Sequence, residues 1–219
     1  FHQWCEQFLE WLLTSPQGRR ERAATNNHGI AYDLQVYAFQ AYLNDAPGMR
    51  LTLERALGRM GEHFDQTGYQ HREMERTTTA HYTAFNIQLW LNFLFLVQNT
   101  LNYSLLDYTV DYGGEKANPV LLGLKWLLPY YGKEWPHPQI DEFDSWRLPT
   151  LYHCAAVFAP GYLAPYAEHY PLVYECKAYH YPHDGVAPFW LLNAMTVTDY
   201  PSLENHKATP YSIHDIKHQ

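Results

Sequence analysis

The chain has 219 residues and a formal net charge of −8, enough length for one domain with a sizeable core. The acidic balance offers no basic patch for nucleic acid, and no apolar run of about 18 residues offers a membrane span. A polyanion would be repelled at long range, so a partner of that kind needs a local basic cleft. The 19 Tyr and 7 Trp can fill a core, and they can also stack on sugar rings. Cys5, Cys154 and Cys176 are odd in number and fit no metal or redox spacing, although one disulfide can form. Asn102-Tyr103-Ser104 is a lone glycosylation sequon. The chain opens on Phe1-His2-Gln3-Trp4 without Met and reads as processed or shortened.

Taken in order, Trp4, Phe8, Trp11 and Leu12 recur at helix spacing, and their stripe is expected to pack in the core. Thr14 to Gly18 stops that helix, and Gly18-Arg19-Arg20-Glu21-Arg22 reads as a basic loop. A capped helix follows from His28 to Leu43, and a third runs from Met49 to Phe64. Asp65 to Thr78 reads as a long polar loop, a kind of segment that often carries function. Thr79 to Leu101 is apolar nearly all round, which marks a central helix. Asn102 to Asn118 is expected to form a shorter helix and a Gly113-Gly114 turn. Pro119 to Leu128 and Ser145 to Phe158 are further helices, the first with Pro at its opening position. Beyond Ala159, prolines punctuate the chain, with one short helix or strand over Phe189 to Ala194 and a polar tail from Thr198. No strand alternation stands out. Paired helices on short loops give an all-α fold of stacked helical hairpins, one domain over 1–197 and a tail over 198–219.

Two stretches carry chemistry. Asn26-Asn27-His28-Gly29 starts a helix, where Asn caps the free backbone N–H groups. Two amides and an imidazole at such a helix start also make a donor cluster suited to a carboxylate or oxyanion. Gln70-His71-Arg72-Glu73-Met74-Glu75-Arg76-Thr77 leads into a second helix start that carries His81, Tyr82 and Asn86. Two helices and their loops separate the two starts, so they can face one another.

These pieces together resemble the alginate lyase superfamily of polysaccharide lyases. The likeness rests on Trp11 to Pro16 with Gly18, Asn26 to Gly29 with Tyr32-Asp33 and Gln35, Glu73 to Thr77 with Tyr82 and Asn86, and Tyr130 with Trp135-Pro136 and Gln139-Ile140. It covers roughly residues 4 to 143. It implies an incomplete (α/α) toroid of antiparallel hairpins around a cleft, a secreted or periplasmic protein, and a polyuronate substrate. Two departures stand out: the family domain is longer at its N-terminus, and a second Arg of many relatives falls here on Thr78.

The implied reaction is β-elimination. Loss of the C5 proton beside a uronate carboxylate makes an enolate dianion, which preorganised donors stabilise best. Asn27 and His28 fit that role, with Arg76 as the fixed cation. Tyr82 is the candidate base and acid where proton and leaving oxygen lie on one side; where they lie on opposite sides, His28 is the base and Tyr82 the acid. A free Tyr titrates near pH 10, so a Tyr base needs a neighbouring cation such as Arg76. No metal or cofactor is needed.

Gln70, His71, His81 and Trp135 are the candidate substrate contacts. For the histidines the competing reading is a cap or a solvated side chain, and for Trp135 an anchor under its loop. Arg19, Arg20 and Arg22 could attract a polyuronate or simply be a solvated run. His180, His183 and Asp184 match no zinc spacing. Two other functions remain open: a glycoside hydrolase, which needs two facing carboxylates from Asp33, Glu73 and Glu75, and a non-catalytic carbohydrate binder. No feature sets an oligomeric state.

Overall fold

The structure, a computed structural model, describes residues 1–143, 145 and 147–170. The expected element over 189–194, the tail from 198, Cys176 and the His180, His183 and Asp184 group lie outside these residues. Among the described residues, helices dominate: α1 (His2–Thr14), α2 (Pro16–Ala23), α3 (Asn27–Tyr42), α4 (Ala46–His63), α5 (His71–Met74), α6 (Thr79–Leu101), α7 (Pro119–Leu127), α8 (Arg147–Phe158) and α9 (Pro160–Leu163). No helix among them is long and apolar enough to cross a membrane.

The helices pair as hairpins because their connections are short. Ser15 joins α1 to α2, its Oγ accepting from the Gly18 N–H at 2.9 Å. The basic run expected as a loop is therefore helix α2, started by a Ser cap and Pro16 at its first turn. Asn44, at φ 58°, turns the chain between α3 and α4, and Asp45 caps α4 through the Gly48 N–H at 3.0 Å.

Helix α6 runs through the middle, packing on α3, α5, α7 and α8. Ile87, Trp90, Phe93 and Leu94 of α6 are fully buried with Ile30 and Tyr37 of α3 and Met60 of α4. Burying such side chains contributes about 1.5–3 kcal/mol each. Its apolar circumference predicted this central place.

Helix α1 departs from expectation. Trp4 and Trp11 are 52% and 46% exposed, stacked on either side of half-buried Phe8 at centroid distances of 5.1 and 5.6 Å. The buried face is Cys5, Leu9 and Leu12, and Leu9 and Leu12 pack on Tyr32 and Val36 of α3. Both faces have helical spacing, so periodicity alone could not choose between them.

The 102–118 segment also differs. Instead of a helix it holds a 3₁₀ turn, Leu105–Asp107, and a small antiparallel hairpin. Strand β1 (Val110–Asp111) pairs with β2 (Lys116–Ala117) in the register Val110↔Ala117 and Asp111↔Lys116. Gly113 and Gly114, at φ 81° and 104°, make the turn expected of them.

A buried ion cluster fixes the entry to α3. Asp33, with no exposed surface, accepts from Arg55 Nε at 2.7 Å and Arg59 Nε at 2.9 Å. Arg59 then reaches across the α2–α3 turn, donating to the carbonyls of Ala24 and Arg22. A side chain on Gly29 would strike the Arg59 guanidinium and the Ala24 carbonyl, which is why glycine stands there.

Candidate active site

The two helix starts do meet. Asn26 caps α3, its Oδ1 accepting from the His28 N–H at 3.2 Å. The Asn27 N–H is the next free donor, and it is taken by Glu73 Oε1 at 2.6 Å. Glu73 belongs to the one-turn helix α5, from which Arg76 follows directly. Arg76 Nη1 points back at Asn27 Oδ1, 3.4 Å away, and its guanidinium carbon lies 3.9 Å from the centre of the Tyr82 ring. Asn27, Arg76 and Tyr82 thus form one contact group, with His28 beside Asn27 on α3. With its oxygen toward Arg76, the Asn27 amide keeps its N–H₂ as a donor.

His28 is exposed at the rim and Nδ1 sits 2.7 Å from Glu21 Oε2. An ionised carboxylate only accepts, so Nδ1 carries the proton and Nε2 of the neutral ring is a bare acceptor. Glu21 therefore sets the tautomer a base would require. That role depends on the bend between α2 and α3, and no spacing in the chain announced it.

The start of α6 is held from outside. Thr78 makes no side-chain cap; instead Gln139 Oε1 accepts from the Ala80 N–H at 3.0 Å, and the Ile140 N–H donates to the Thr77 carbonyl at 2.9 Å. Trp135 Nε1 donates to Thr79 Oγ1 at 2.9 Å, and its ring packs on Trp126, Tyr130, His137 and Phe143. Of its two readings, this geometry favours the anchor.

The remaining candidates divide. Gln70 has no exposed surface; it donates to the Thr83 carbonyl at 3.2 Å and accepts from Asn86 Nδ2 at 2.8 Å. A side chain so enclosed positions α6 and presents nothing to a ligand, which corrects its reading as a substrate contact. His71 is exposed and bonded to Asp65 Oδ2 at 3.0 Å, with Tyr69 against its ring at 4.8 Å. Among the described residues, its contacts are with Asp65 and Tyr69 and not with the Arg76 group. His81 lies edge-on to Tyr82 at 5.0 Å, beside the group. Deeper in, burial pushes the His63 imidazole down to about 3, helped by the charge of Arg59.

No spacing in the chain announced the place of Glu73. It is 1% exposed, and Oε2 has no hydrogen-bond partner among the described residues. Burial pushes its carboxyl up to about 7, against the opposing pull of the Asn27 N–H, Arg76 and His28. Between pH 4.5 and 7 the unfolded chain gives up this proton while the folded protein keeps it, so stability falls as pH rises through that window. Glu73→Gln has nothing to titrate. Compared with wild type, its unfolding free energy should gain about 3 kcal/mol on going from pH 4.5 to 7. Urea denaturation across that range measures it; a difference that does not change with pH would refute the shift.

A family model for alginate lyases matches residues 1–134. The chain belongs to the alginate lyase family. A crystal structure of an alginate lyase from Bacteroides ovatus at 1.60 Å superposes with a TM-score of 0.69 at 30% identity. The match covers 78% of this chain and 46% of that one, so the chain spans under half the length of that protein. No curated protein matches the chain. The fold implied by the resemblance, an (α/α) toroid of helical hairpins, is the fold of this alginate lyase family member. Its contact group of Asn27, Arg76 and Tyr82 lies wholly inside the matched stretch.

Proposed function

We propose that the protein is a polysaccharide lyase that cleaves a 1,4-linked polyuronate by β-elimination. The observation that carries this is the convergence of Asn27, Arg76 and Tyr82 around one guanidinium. Arg76 and the Asn27 amide neutralise the uronate carboxylate as the enolate forms. Tyr82 takes the C5 proton and returns one to the leaving O4 when both lie on the same face of the sugar. His28, with Nε2 bare, takes the proton when they lie on opposite faces, and Tyr82 then serves as acid. The products are a new reducing end and a 4,5-unsaturated uronate. An acidic polysaccharide of this kind places the work outside the cytoplasm, in the secreted or periplasmic space.

The hydrolase reading loses its carboxylates. Asp33 is locked between two arginines, Glu73 is buried on the Asn27 N–H, and exposed Glu75 faces Arg72 at 3.5 Å. Each is committed to a partner other than a second carboxylate.

The experiment is to mix the protein separately with polymannuronate, polyguluronate and glucuronan. Absorbance near 235 nm, where the conjugated product is expected, should rise with at least one of them. Flat traces with all three, from folded protein, would overturn the reading.

A further inference from the structure

One groove stands apart from the Arg76 group. It has a volume of about 450 Å³, within the size range of small-ligand sites. Gln66 and Thr67 line it together with Lys125 and Trp126 of α7, and with Tyr130 and Lys133 beyond the end of that helix. Lys125 and Lys133 are exposed and form no salt bridge among the described residues. The nearest acid in the sequence stretch that holds Gln66 and Thr67, Asp65, is already committed to the N–H groups of Thr67 and Tyr69, the Thr67 hydroxyl and His71. Two uncompensated ammonium groups beside one concavity are a local basic site on a chain of net charge −8.

Part of the groove's lining is aromatic. Trp126 and Tyr130 are half-buried, with ring centroids 5.5 Å apart. Apolar ring faces beside cations suit a sugar that carries a carboxylate. The groove is also tied to the reaction centre. Trp126 meets Trp135 at 5.7 Å, Trp135 holds Thr79, and Thr79 opens the helix whose first turn carries Tyr82.

We propose that this groove is an accessory carbohydrate site that takes an acidic sugar unit of the polymer. Its carboxylate lies against Lys125 and Lys133 and its ring against Trp126 and Tyr130. The proposal rests on the lyase reading only for the identity of the polymer.

The test is affinity electrophoresis of the full chain through gels containing polymannuronate, polyguluronate or glucuronan. It is run on a Tyr82→Phe background, so that turnover does not consume the polymer. Lys125→Gln/Lys133→Gln is compared with Arg50→Gln/Lys116→Gln, which removes the same charge from exposed positions elsewhere. The first pair should weaken retardation by at least about fivefold, the second by less than about twofold. Circular dichroism confirms that both keep their helix content. Equal weakening by both pairs, or none by the first, overturns the proposal. So does equal retardation of the unsubstituted background by polyglutamate, because charge alone would then explain binding. The outcomes separate the two readings. Groove-dependent retardation of the Tyr82→Phe background with no rise near 235 nm from the wild-type chain defeats the lyase reading alone. A rise near 235 nm from the wild-type chain with no effect of the lysines on retardation defeats the groove alone.

Discussion

Tyr82→Phe should lower polyuronate turnover by about 10²–10⁴-fold, the usual contribution of a positioned proton-transfer group. The substitution removes one oxygen and leaves the ring. Arg76 keeps its place 3.9 Å above that ring, His81 keeps its edge contact, and among the described residues no hydrogen bond of the fold depends on the Tyr82 hydroxyl. The helical signal and melting temperature should therefore match wild type while the initial rate near 235 nm collapses. The Michaelis constant should change far less than kcat, because the proposed mechanism uses the hydroxyl in the transition state and not in ground-state binding. A variant that turns over at the wild-type rate would remove Tyr82 from the mechanism, whatever the other residues do.

Asp33→Ala should cost about 3–5 kcal/mol of unfolding free energy, the range for removing one partner of a buried ion pair. Against a total stability of about 5–15 kcal/mol, that is enough to unfold a large fraction of a marginal chain. The loss falls on Arg59, which is 8% exposed and would keep its charge without a counterion. It also loosens the α2–α3 turn, because Arg59 holds the carbonyls of Arg22 and Ala24 only while Asp33 holds Arg59. Chemical denaturation monitored by circular dichroism gives the number; a loss under about 1 kcal/mol would show that the guanidinium finds water instead.

Much of this architecture was legible before any coordinates. The bounds of α6 fell on Thr79 and Leu101, because its apolar side chains run nearly all round and leave no alternative. Asn26 and Pro119 marked helix starts by local chemistry that needs no tertiary context. The failures have a common cause: the deciding partner lay elsewhere in the chain. Helix α2 is polar and reads as a loop until Ser15 and Pro16 are weighed as a start. Trp4 and Trp11 looked buried because Tyr32 and Val36, which chose the other face of α1, are distant in sequence. Asn102 to Asn118 has helix-forming residues, but the Asn118 amide binds the carbonyls of Leu105 and Tyr108 and closes the segment into a loop. At the site, Asn27, Arg76 and Tyr82 carried a recognisable pattern, while Glu21 and Glu73 act through contacts that only the fold supplies.

The bond between Glu73 and the Asn27 N–H spans 46 positions, and the one between Arg76 and Asn27 spans 49. Closing loops of that size carries an entropy cost that must be met before these contacts form. Helices α1 to α4 precede Glu73 in the chain, so the cluster closes only when the chain beyond α4 folds back onto the start of α3. The reverse also holds. The cluster joins residues 71–79 to the start of α3 through polar contacts, and a local opening there would dissolve it while Trp90, Phe93 and Tyr37 stay packed. Loss of the site's geometry therefore does not require loss of the helices around it.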